Sequence, residues 1–267
     1  YDGPAQRAMA DVDLWLAAQD MAEACVVVAG LDFFTNENAD RPLALQALSN
    51  GEVQFYRRQG VPTLVELHLS PFEGWWLKRT AVVNDRQVLA RKLPLPGWGA
   101  FYQLAPEDMV IHLAIHLAIG HQFGAQSVRT LVDIARLAFA RDIDWQTVAA
   151  RARDWRVATA VWLVLYHEQQ LVGLAGLDSI LDFLQPTHWR RQQLLRMVSE
   201  QSILSGGARR GERERYRLLL LLVDRSRDAG RLVFRTLWPE GSWLHARYGG
   251  GVGHWQHWQH LLREGRV

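Results

Sequence analysis

The residues Asp11-Val12-Asp13 place two carboxylates one residue apart at the entrance to an apolar run, Leu14-Trp15-Leu16. In an extended strand such residues face the same side, roughly 6–7 Å apart at Cα. Like charges at that spacing repel, and a hard divalent cation with oxygen ligands is the usual relief. The chain contains its own control. Asp142-Ile143-Asp144 repeats the pattern, but Asp144 stands directly before the helical period that begins at Trp145, where an aspartate is expected to cap the helix.

Other residues suited to chemistry lie downstream. Val53–Arg57 and Thr63–Leu69 alternate with a period of two and read as strands joined by a turn at Gly60-Val61-Pro62. In the second strand Leu64, Glu66 and His68 share one face and Val65, Leu67 and Leu69 the other, as expected of a sheet that borders a reactive site. His112 and His116 stand four apart on one helical face, yet there is no His-Glu-x-x-His pattern and no second cysteine to build a zinc site. His116 is expected either to tie to Asp133 of the next helix or to touch a substrate. Trp75 and Trp76 are expected in the core, with stacking on a nucleobase as the alternative.

The elements that must position these side chains follow from the pattern. Gln19–Ala29 reads as a short helix closed by Gly30. From Pro106 the signal is helical almost throughout, with Pro106-Glu107-Asp108 as a helix start. Helices are expected over Val110–His121, Val128–Ala140, Trp145–Ala152, Trp155–Val172, Trp189–Leu204 and Glu212–Leu237, with Gly249-Gly250-Gly251 as a joint before a last helix. The Pro- and Gly-rich stretch Leu93–Gly99 is a natural linker. The expected fold class is therefore α+β: a small mixed-sheet domain over residues 1–97, then a mainly helical domain over 98–267.

Composition bounds the function. With 49% hydrophobic and 22% charged residues, the 267-residue chain is an ordinary globular sequence rather than a disordered one. The single Cys25 excludes an internal disulfide, and no run approaches the ~20 apolar residues of a membrane span. With no signal peptide either, a cytoplasmic location is expected. Between residues 189 and 247 thirteen arginines face six acids, but the whole chain has two lysines, so the arginine bias reads as a solvated basic surface rather than a nucleic-acid site.

Taken in order, Arg7-x-Met9-x-Asp11-Val12-Asp13-Leu14, Val65-Glu66-Leu67-His68, Leu104-x-Pro106-Glu107-Asp108, His112 to His116, Leu131-Val132-Asp133-Ile134-Ala135-Arg136, Asp144-Trp145 and Trp238-Pro239 to Ala246-Arg247-Tyr248 resemble the bacterial family of uncharacterised nucleotidyltransferases. That family lies within the polymerase-β-like nucleotidyltransferase superfamily. The resemblance implies a magnesium-dependent enzyme, or one using manganese, that moves a nucleoside monophosphate from a nucleoside triphosphate such as ATP to an unidentified sugar, metabolite, peptide or protein. It implies Asp11, Asp13 and Glu66 as catalytic residues and metal ligands, and Glu66 can also serve as a general base. Arg7, as a forked donor to phosphate, His68 and His116 are the expected substrate contacts. In the family a glycine-containing phosphate turn precedes the position of Tyr1, so the first domain is expected to lack its N-terminal segment here. The alternative is an inactive protein that keeps the fold for binding or regulation.

Overall fold

The computed structural model describes residues 11–37, 42–57, 59–60, 62–72, 74–207, 210–251 and 253–263. Arg7 lies outside them. The described residues form two units, one made of those up to Lys78 together with those from Phe234 onward, the other of Arg79–Val233.

The first unit is built on a four-stranded mixed sheet in the order β1-β4-β3-β2. Its strands are β1 (Asp11–Trp15), β2 (Phe34–Thr35), β3 (Glu52–Arg57) and β4 (Thr63–His68). β1 and β4 are parallel neighbours, and β4 forms a hairpin with β3 through a turn in which Gly60 adopts φ 76°, a left-handed conformation that costs glycine little. A parallel pair needs a crossover. Here helix α1 (Met21–Gly30), β2, helix α2 (Leu43–Asn50) and β3 lie between its two strands in the chain. α2 stops at Gly51, which takes φ 68° and returns its N–H to the Ala47 carbonyl.

Strand alternation divides the sheet as the sequence predicts. Phe55 and Leu67 are buried on one face, while Asp13, Gln54, Glu66 and His68 stand on the other. Trp76 is buried, as expected of a core residue. The helices Gly241–Tyr248 and His254–Arg263 belong to this unit too. Trp243 donates its indole N–H to the Ser49 hydroxyl on α2, and the buried His257 lies 3.0 Å from the Tyr248 hydroxyl and 2.9 Å from the Thr236 carbonyl.

The second unit is helical apart from a short antiparallel pairing of Leu93–Pro94 with Tyr102–Gln103. Pro106 opens the helix Pro106–Ile115, in which the buried Asp108 accepts from Arg91 at 3.0 and 3.1 Å and from Arg151 at 2.9 Å. Asp144 caps the helix Trp145–Asp154, accepting from the Gln146 and Thr147 amides at 3.0 and 3.1 Å. Asp144 of the second Asp-x-Asp triplet is thus occupied with backbone donors.

The helix Ala158–His167 runs through the core with nearly every side chain buried. Two long helices expected from the sequence are broken. The first splits into His188–Met197 and Glu200–Leu204 because Ser199 turns to cap the second piece. The other splits into Glu212–Leu221 and Ser226–Leu237; between them Asp224 accepts from the Ala158 and Thr159 amides at 2.8 and 2.9 Å, capping a different helix. No described helix is long and apolar enough to cross a membrane.

Candidate metal and nucleotide site

The polar face of the sheet is assembled by register. Pairing of β1 with β4 sets Asp13 opposite Glu66 and Trp15 opposite His68; pairing of β3 with β4 sets Gln54 opposite Glu66 and Glu52 opposite His68. Side chains from three strands therefore converge on one spot, with neighbouring strands about 4.8 Å apart.

At the centre is His68. Its Nε2 lies 3.3 Å from Asp13 Oδ1 and 3.5 Å from Glu66 Oε2, and its Nδ1 lies 3.8 Å from Glu52 Oε2. Burial alone pushes the imidazolium down, but hydrogen bonds to Asp13 and Glu66 and the fields of Asp13 and Glu52 outweigh it and push the His68 pKa up to about 10. The ring is thus charged at neutral pH and holds two carboxylates together that would otherwise repel.

Behind the carboxylates stands a second tier. Gln54, nearly buried, donates from the one amide nitrogen to Glu66 Oε1 and to Glu52 Oε1, the latter at 3.0 Å. Its carbonyl oxygen accepts from Asn36 Nδ2 at 3.1 Å, which fixes the orientation of the amide. Gln46 of α2 completes the support, donating to the Asn36 carbonyl at 2.7 Å and accepting from the Gln54 backbone N–H at 3.4 Å. Exposure grades outward: the Glu52 side chain is 12% exposed, Glu66 16%, His68 18% and Asp13 42%, so the group opens to solvent at Asp13.

Among the described residues, Asp13, Glu66 and His68 are the group able to hold a metal ion, with one donor atom from each within 4.8 Å of the others. The donor set fits a divalent cation. Bonds of about 2.1 Å at right angles place neighbouring donors about 3 Å apart, close to the spacing already present around His68 Nε2.

Of the residues singled out in the sequence, Asp13, Glu66 and His68 come together and Asp11 does not join them. It lies one pleat repeat back on the same face, opposite Leu64, and is exposed. Same-strand spacing keeps it farther from Asp13 than the cross-strand partner is. His116 is in the second unit, at the start of a π-helical turn, His116–Gly120, with ring centroids 5.8 Å from His112 and 4.4 Å from His121. Glu52, Gln54, Asn36 and Gln46 were not singled out. For Glu52 and Gln54 the signal was available, since the alternation that puts Val53 and Phe55 inward puts those two on the face of Glu66.

A family model described as "Uncharacterised nucleotidyltransferase" matches residues 1–173, a span that includes the whole sheet and the site. No curated protein and no solved structure matches the chain significantly.

Proposed function

The chain belongs to the uncharacterised nucleotidyltransferase family, and we propose that it transfers a nucleoside monophosphate from a nucleoside triphosphate to an acceptor, with a divalent ion such as Mg²⁺ held at Asp13 and Glu66. The observation that carries this reading is the facing position of those two carboxylates on parallel neighbouring strands, open to solvent at Asp13. Asp11 adds a third negative charge on the same face. A bound divalent ion neutralises phosphate oxygens and lowers the pKa of an attacking hydroxyl.

In the reaction an acceptor oxygen forms a bond to the α-phosphorus while the bond from that phosphorus to the bridging oxygen breaks, and pyrophosphate leaves. The acceptor proton passes to a carboxylate, for which Glu66 is the best placed. Gln54 keeps one Glu66 oxygen engaged and leaves the other directed toward Asp13 and His68. Arg7 is proposed for a contact with the triphosphate.

Calorimetry with ATP, CTP, GTP and UTP, each with and without Mg²⁺, tests the reading. Wild-type protein is expected to bind at least one triphosphate in a metal-dependent manner, and Asp13→Ala to lose that heat while keeping its circular dichroism spectrum. Unchanged binding in the variant refutes the assignment.

A second reading is favoured by the His68 ring, which already satisfies the carboxylates as a cation and would suit a fold kept for binding alone. It predicts that no triphosphate binds better with metal than without.

A further inference from the structure

A set of three carboxylates is the natural cradle for Mg²⁺, but this fold gathers two carboxylates and an imidazole. Asp13, Glu66 and His68 supply the donors that lie within 4.8 Å of one another, whereas Asp11 stands outside the group. The geometry of the ring is that of a ligand. Nε2 points between the two carboxylates at 3.3 and 3.5 Å, a little wider than the ~3 Å between adjacent donors around a six-coordinate ion, while Nδ1 on the opposite edge faces Glu52 at 3.8 Å. A ligating histidine characteristically directs its second nitrogen to a carboxylate or carbonyl, which fixes its tautomer and orientation. Glu52 is itself held by Gln54, the residue that also holds Glu66, so the imidazole and one of the carboxylates share a single buried support.

We infer that His68 is a direct metal ligand through Nε2, the ion displacing the Nε2 proton to solvent and taking its place between the two carboxylates, with the charge of the facing Glu52 orienting the ring, and that the site therefore selects a divalent transition ion of the Mn²⁺ class over Mg²⁺. The inference rests on the metal-dependent reading above and deepens it by naming the ion. Its physical basis is ligand softness. Imidazole nitrogen binds first-row transition ions well and Mg²⁺ poorly, while carboxylate oxygen serves both, so a nitrogen in the set shifts the preference away from magnesium.

The test reads the metal rather than turnover. Mn²⁺ is titrated into the purified full chain and followed by electron paramagnetic resonance, with pulsed spectra recorded for nitrogen coupling to the bound ion. Wild-type protein is expected to bind one Mn²⁺ with ¹⁴N coupling and to retain it against a tenfold excess of Mg²⁺. His68→Gln is expected to lose the coupling, to bind Mn²⁺ roughly tenfold or more weakly, and to let Mg²⁺ compete at equal concentration.

If His68→Gln does not fold, Glu52→Gln carries the test. It is expected to keep the nitrogen coupling and weaken Mn²⁺ binding roughly 10–100-fold, and unchanged affinity there overturns the orienting role. Mn²⁺ bound to wild type without nitrogen coupling, or displaced by equimolar Mg²⁺, overturns this inference and leaves the metal site standing. No Mn²⁺ or Mg²⁺ binding to wild type overturns both.

Discussion

A carboxylate's surroundings decide what it can do, and this chain places similar acids in opposite circumstances. Asp13 and Glu66 face a charged imidazole at the opening of a sheet. Glu168, in the helical unit, is fully buried with neither oxygen hydrogen-bonded. Burial pushes the Glu168 pKa up to about 9 from an ordinary 4.5, so the folded protein holds a proton there that the unfolded chain releases. Between those two values the folded state binds more protons than the unfolded one, and this residue's contribution to stability falls as pH rises, by up to about 1.4 kcal/mol per pH unit. Glu168→Gln removes that titration. Its thermal midpoint, measured against wild type at pH 5, 7 and 9, is expected to gain steadily as pH rises. A constant offset would show that the carboxyl is not neutral in the fold. Neither circumstance is written in residue type. The period of two identified Glu66 and His68 as sharing a face, whereas nothing in the helical pattern marks Glu168 as buried without a partner.

Among the elements, β3 matters most beyond the two strands that carry the donors. It contributes Glu52 and Gln54, and its pairing with β4 brings both under Glu66 and His68. Gln54→Leu keeps a strand-compatible side chain of similar size but strips Glu52 and Glu66 of a shared donor. It is expected to weaken Mn²⁺ binding roughly 10–100-fold and to cost the fold about 1–3 kcal/mol through the polar groups left unpaired. Mn²⁺ titration and urea denaturation of the same sample check both numbers, and an unchanged dissociation constant would remove Gln54 from the account. The strands themselves were legible because alternation is a local signal. The register that joins Gln54 to Glu66 was not, because it depends on which strands pair. The same distinction holds for the helices. Caps such as Asp144 could be read locally, while the break before Ser226 could not, since Asp224 there serves a helix some 65 residues earlier. The short helix Asp178–Leu184 and the two π-helical turns left no periodic trace long enough to read.

For the whole molecule, the order of sheet first and helices after follows the chain, and α+β was readable from the change of period near Pro106. The return of the residues from Phe234 onward to the first unit was not, because it rests on contacts such as Trp243 to Ser49 that span 194 positions. Within that unit the proposed chemistry has one centre, the polar face where β1 meets β4. Diffraction from crystals soaked with Mn²⁺ and a non-hydrolysable triphosphate, collected at a wavelength where manganese scatters anomalously, examines it most directly. An anomalous peak is expected within bonding distance of Asp13 and Glu66, with phosphate oxygens beside it. A triphosphate bound elsewhere, or manganese absent from that face while bound at another, would contradict that expectation.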